Sequence, residues 1–138
     1  MSLSFSFNPR VSPISNTRSP LSGQSYMSLE SFRKSGQGVA VPVWFAERDG
    51  ILYVYSEAAS GKVKRIRNNP RVRVAPCDAR GRLKGDWVEA TARILEGDEA
   101  RLADDLLNAK YGWQKRLLGF FARFRPRPRA YFAITPSN

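Results

Sequence analysis

The chain reads as a mainly β domain with flanking helices, a small antiparallel barrel of about six strands. Three observations predict this. Short runs rich in Val and aromatic residues alternate apolar with polar side chains, as half-buried strands do. Tight turn signals separate those runs, above all Asp49-Gly50. One short helical segment falls between strands and two more helices precede only the last strand, which leaves no regular succession of the long crossovers that a parallel sheet needs.

Taken in order, residues 1–22 are rich in Ser and Pro, carry Arg10 and Arg18, and contain no acidic residue. A disordered tail, a transit-like targeting segment, and sequence upstream of the natural start all fit that composition. Pro9, Pro13 and Pro20 weigh against the amphipathic helix of a transit peptide. A single domain is expected over residues 23–138. Tyr26 to Arg33 alternates as a strand, and Lys34-Ser35-Gly36-Gln37 turns the chain. A second run extends from Gly38 to Glu47, with Pro42 inside it. Proline lacks the N–H that a ladder needs, so Pro42 marks an edge, a bulge, or a strand whose outer side faces something other than another strand. Asp49-Gly50 then returns the chain into the strand Ile51 to Tyr55.

Gly61 to Asn68 reads as a short basic helix with Val63, Ile66 and the Arg67 stem facing inward, stopped by Asn69-Pro70. Arg71 to Asp78 alternates Arg with Val and Ala as a half-buried strand. A turn at 79–82 leads to a long strand over Gly85 to Leu95, with Val88, Ala90, Ala92 and Ile94 on one face. Asp98 and Glu99 open a helix whose apolar stripe holds Leu102, Leu106 and Leu107. A second helix is expected after Tyr111-Gly112, with Trp113, Leu117, Phe120, Phe121 and Phe124 on one face and basic residues elsewhere. That face packs on the barrel or on a second copy rather than on a membrane. The Arg-Pro repeat of 125–129 should be extended, and Ala130 to Thr135 closes the domain as a strand.

Composition narrows the chemistry. The chain has no histidine and a single cysteine, Cys77, which excludes histidine triads and histidine metal sites and leaves no intramolecular disulfide. A reducing compartment such as the cytoplasm fits the lone thiol. No apolar stretch approaches the roughly 20 residues of a spanning helix, so no membrane insertion is expected. The formal charge is +11, and no acidic residue follows Asp105. Such a surplus serves either an anionic partner or a solvated basic face.

The segment Ser56 to Pro76 carries the sharpest chemical signal. Ser56 ends a strand, Ser60 stands four positions on, and Lys62 follows at the start of the helix, with Arg65 one turn after Gly61. A strand end followed by a helix start directs these groups to one place, and two hydroxyls with two cations match the donor needs of a phosphate. The same residues also fit a helix cap by Ser60 with solvated cations around it.

Several runs together resemble the split-barrel family of pyridoxamine 5'-phosphate oxidase and its deazaflavin-dependent relatives. They are Arg33-Lys34-Ser35-Gly36-Gln37-Gly38, Pro42-Val43-Trp44-Phe45, Leu52-Tyr53-Val54-Tyr55-Ser56, Ser60-Gly61-Lys62 and Asn69-Pro70-Arg71-Val72. The match covers about residues 24 to 136 and is closest to the branch that depends on coenzyme F420, an 8-hydroxy-5-deazaflavin. The resemblance implies a six-stranded antiparallel split β-barrel of the FMN-binding kind. It also implies a homodimer with the cofactor site at the interface. It carries Ser56, Ser60 and Lys62 onto the family's phosphate-binding groups, with Arg65 as a further one, and Pro42, Val43 and Trp44 onto the segment beside the flavin ring. Read from the residues, the aromatic set Trp44, Tyr55, Trp87, Tyr111 and Trp113 fits either the lining of a planar-ligand pocket or the core of a small barrel; of these, Tyr55 is taken as a further cofactor contact and Trp87 as the candidate for a substrate pocket. Where the oxidase proper has an arginine beside its lysine, this chain has Gly61.

The leading functional expectation is therefore an oxidoreductase that holds FMN or coenzyme F420 non-covalently and passes hydride to a small substrate. A non-enzymatic flavin- or haem-binding protein for storage or sensing is the alternative. A nucleic-acid module rests on the basic runs alone, with no recognised motif, so no specific nucleic-acid partner is expected. No metal ligand and no catalytic acid or base is assigned.

Overall fold

The structure, a computed structural model, describes residues 21–122 and 129–137, and within the first stretch it describes side chains through position 112. Seven strands and two helices follow one another. They are β1 (Tyr26–Phe32), β2 (Gly38–Trp44), β3 (Ala46–Arg48), β4 (Ile51–Glu57), α1 (Gly61–Asn68), β5 (Arg71–Cys77), β6 (Val88–Leu95), α2 (Gly97–Ala122) and β7 (Arg129–Pro136). All strands join one sheet in the order β2-β1-β5-β6-β7-β4-β3, and every pairing is antiparallel. The sheet curls around one core. Met27, Leu29, Val43, Leu52, Val54, Val72, Val74, Ala90, Ala92, Phe132 and Ile134 project inward together.

The seventh strand comes from a run expected to be continuous. Gly38 to Glu47 breaks at Phe45: β2 pairs only with β1, while β3 pairs only with β4 at the opposite end of the sheet. One residue thus links the two edge strands, and Phe45 is 1% exposed where the chain turns inward. Pro42 lies on edge strand β2 opposite Ser28, the kind of position where a sheet tolerates proline because one side of the strand has no ladder partner. The Asp49-Gly50 turn forms as expected, with φ of 53° and 79° at its two residues, the left-handed pair that a two-residue hairpin requires.

On β6 the expected face is present, although the strand begins at Val88 rather than Gly85: Ala90 and Ala92 are buried and Glu89, Thr91 and Arg93 exposed. Helix α1 closes the inner core with Val63 and Ile66, while Arg67 is exposed rather than packed by its stem. Helix α2 covers the other side of the sheet. Ala103 and Leu107, both fully buried, meet Leu95 and Ala133 in one cluster and Ala46 and Tyr111 in another. Their spacing of four, continued by Tyr111, is the buried stripe of an amphipathic helix. Gly112 departs from helical geometry (φ 0°, ψ −84°), and this kink divides α2 where the sequence places the start of a second helix.

Leu21 is buried against the inner core, so packed structure extends to the end of the segment read as a tail; residues 1–20 lie outside the described residues. The side chains of the aromatic face expected from Trp113 to Phe124 are not among those described, and the run 125–128 lies outside the described residues. Among the described residues no helix is long and apolar enough to cross a membrane.

Candidate functional site

An open cleft of about 290 Å³ lies at the end of β2 and is lined by Tyr26, Pro42, Val43, Trp44, Tyr55 and Lys62. Each is positioned by an element already described. Tyr26 and Trp44 are directly paired at one end of the β1–β2 ladder, so both rings stand at the rim. Tyr55 faces outward from β4 toward Tyr131, with ring centroids 6.2 Å apart, and the Arg129 guanidinium lies 4.9 Å from the Tyr55 centroid. Burial raises the Tyr55 phenol pKa, and the Arg129 charge opposes that rise.

Trp44 is held from behind. Its ring stacks on Tyr111 with centroids 4.8 Å apart and planes 7° from parallel. The Tyr111 hydroxyl accepts from the Phe45 N–H at 3.0 Å and lies 2.7 Å from the carbonyl oxygens of Phe45 and Ser25. Lys110 beside it donates to the carbonyls of Gln24 at 2.6 Å and Phe45 at 2.8 Å, with its ammonium 3.9 Å from the centroid of the Phe45 ring. Helix α2 is therefore bonded to the link between the two edge strands, and the same tyrosine supports the cleft's indole.

The second half of the site is the start of α1. Ser60 is the N-cap residue, yet its hydroxyl bonds no helix N–H. It lies instead 3.1 Å from the Ser56 hydroxyl, either of which can donate. The capping role open to Ser60 from sequence is thus not taken. Lys62, one turn-third into the helix, reaches the cleft wall. Its pKa is lowered by burial first and then by repulsion from Arg65, with Glu57 opposing. No carboxylate forms an ion pair with Lys62 among the described residues.

Arg65 does not line the cleft. Its Nε donates to the Ser31 hydroxyl at 2.6 Å, and Ser31 is fully buried on β1. Burial and then the nearby Arg33 lower the Arg65 pKa. Helical side chains lean toward the N-terminus, so the Arg65 head folds back over Gly61. A Cβ built on Gly61 would stand 2.7 Å from Arg65 Nη1.

The structure thus brings Pro42, Val43, Trp44, Tyr55 and Lys62 to one cleft and sets Ser56, Ser60, Gly61 and Arg65 around the helix start that presents Lys62. Trp87 is not among the lining residues. Its ring lies 4.9 Å from the Arg73 guanidinium, which also pairs with Glu30 at 2.6 Å. Arg73 is therefore engaged on both sides. Three contributors were not singled out from sequence: Tyr26, the Tyr111 hydroxyl and Ser31.

Among solved structures, a FAD-binding protein from Mesorhizobium loti is 22% identical, with 86% of each chain covered and a TM-score of 0.60. An F420 reductase is 17% identical, covering 91% of this chain and 97% of its own, with a TM-score of 0.59. The heme storage protein HutZ from Vibrio cholerae is 12% identical, covers 84% of each chain and gives a TM-score of 0.63. These similarities establish a shared fold. Comparison with curated proteins gives no match. The family model described as pyridoxamine 5'-phosphate oxidase matches residues 15–138, the whole of the sheet and both helices, and the chain belongs to that family.

Proposed function

We propose that the chain is an oxidoreductase that binds a phosphate-bearing flavin or 5-deazaflavin, FMN or coenzyme F420, non-covalently, and acts on a small substrate. One observation carries the reading: two facing hydroxyls, Ser56 and Ser60, flank the start of the helix that presents a half-buried lysine, which forms no ion pair among the described residues and borders a cleft walled by an indole. Hydroxyls and an ammonium are the donor set for a phosphate, and the flat wall of Val43 and Trp44 suits a planar ring. The Tyr111 stack fixes that wall before any ligand arrives, which lowers the ordering cost of binding.

When bound, such a ring supplies hydride transfer through its central ring. The protein's part is to hold and orient it. Lys62 and the serine pair fix one end, and Trp44 and Pro42 fix the plane at the other. The cleft is small for a flavin and open on one side, which supports completion by a second copy of the chain across the edge strand β2. A haem-storage role has less support, since the chain has no histidine and the cleft's only phenols are those of Tyr26 and Tyr55.

Titration of the purified protein with FMN and with coenzyme F420, followed by absorbance and fluorescence, tests the proposal. Saturable binding that weakens at least tenfold in Lys62→Ala is expected, since one desolvated charge-assisted contact is worth about 1.5–3 kcal/mol. Absence of binding to both ligands refutes it. Turnover assays with reduced cofactor then separate an enzyme from a carrier.

A further inference from the structure

Gly61 opens α1, and the structure shows what occupies the space beside it. The glycine is at the first helical position with an ordinary backbone, so no turn geometry demands it. The Arg65 guanidinium fills the volume that a side chain at 61 would claim, with Nη1 2.7 Å from the Cβ position and Cζ 3.7 Å from it. Its Nε is bonded to the buried Ser31 hydroxyl, which fixes the plane of the fork and leaves the Nη groups over the helix start. No carboxylate forms an ion pair with Arg65 among the described residues.

We infer that Gly61 is a specificity-determining position of the anion site: its missing side chain admits the Arg65 guanidinium, which supplies the second cation from one helical turn downstream and is braced by Ser31. The arrangement differs from two adjacent basic residues in its geometry. A side chain at 61 would claim the space that the guanidinium holds, whereas Arg65 reaches it from one turn downstream with its Nε already occupied. The Nη groups of such a fork offer a paired face to a phosphate oxygen pair. Arg65 and Lys62 also repel each other, as the lowering of the Lys62 pKa by Arg65 records, and an anion between them relieves that repulsion. The ligand class is a terminal phosphate or phosphodiester on a flavin-like ring, and the inference rests on the cofactor reading above.

Gly61→Ala provides the test, because its two effects have opposite signs. Alanine exceeds glycine in helix propensity, so the variant should unfold at an equal or higher temperature. The new methyl displaces only the tip of a flexible side chain, which costs the fold little, yet it moves the guanidinium off its position. Each variant is titrated with FMN and with riboflavin, which lacks the phosphate, and with coenzyme F420 beside its phosphate-free chromophore. The wild type should prefer the phosphorylated member of the pair that binds. Gly61→Ala and Arg65→Gln should each cut that preference by about tenfold while leaving affinity for the phosphate-free ring unchanged. The double variant should lose no more than either single one, since both remove one contact. An undiminished preference in Gly61→Ala, or losses that add in the double variant, overturns the inference while leaving the cofactor reading standing. A wild type that binds no member of either pair overturns both.

Discussion

Deleting one oxygen atom, in Tyr111→Phe, probes the junction that holds the cleft wall. Tyr111 is 4% exposed, and its hydroxyl serves the Phe45 N–H and the carbonyls of Phe45 and Ser25. A phenol has one proton, so it donates to one carbonyl at a time while accepting from the amide. Phenylalanine keeps the ring and its stack on Trp44 but leaves the buried Phe45 N–H without that acceptor. A lost hydrogen bond costs about 1 kcal/mol net and an orphaned buried donor about 1–3 kcal/mol. These overlap, so the expected loss is about 2–3 kcal/mol, read as a lower urea midpoint with unchanged slope. The pH profile gives an independent reading. Burial, ahead of the opposing Phe45 backbone bond, pushes the Tyr111 pKa up to about 12 in the folded chain, against about 10 unfolded. The native state therefore holds this proton more tightly. Its contribution is complete below about pH 10 and is lost as pH rises through about 12. The gap corresponds to about 2–3 kcal/mol. Tyr111→Phe should remove that part of the alkaline decline and leave the part due to Tyr131, whose pKa burial also pushes to about 12. A loss below about 0.5 kcal/mol at pH 7 with an unaltered alkaline limb would refute the argument that this hydroxyl ties α2 to the sheet.

Two charge pairs that look alike in sequence should behave differently. Arg71–Glu89 is exposed on both sides, and Arg71→Ala should cost no more than about 1 kcal/mol. In Arg73–Glu30 the Glu30 side chain is only 14% exposed, so Arg73→Met strands a carboxylate and should cost about 1–3 kcal/mol, partly recovered in a double variant with Glu30→Met; denaturant titrations of the three proteins decide it. Gly50→Ala places a side chain at φ 79° and should lower stability by about 1–2 kcal/mol in thermal unfolding, with ligand affinity unchanged.

The strands, hairpins and helix order were legible because each follows from local alternation, turn chemistry or a cap signal. The break at Phe45 was not. An aromatic residue between Trp44 and Ala46 continues an apolar run, and the split depends on which distant strands each half pairs with. The hydroxyl partners of Tyr111 are backbone atoms 66 and 86 residues away, and no residue type in the sequence announces a carbonyl as a partner. Ser60 was legible in position and not in direction, because a cap and a hydroxyl pair use the same residue at the same place. Gly61 read as the loss of a charge; only the fold of the Arg65 side chain shows the space refilled.

The single residue between the two edge strands has a mechanical consequence. A closed barrel can admit something between neighbouring strands only by breaking ladder bonds. Here β2 and β3 belong to opposite ends of the sheet, and no ladder pairing between them occurs among the described residues. The cleft residues Pro42, Val43 and Trp44 occupy one lip of this seam. Parting the lips leaves all six strand pairings intact and turns the chain about Phe45, whose amide and carbonyl are gripped by two adjacent side chains of α2. What holds the seam shut is thus a tyrosine, a lysine and the packing of Val43 and Phe45 in the core, and not ladder bonds.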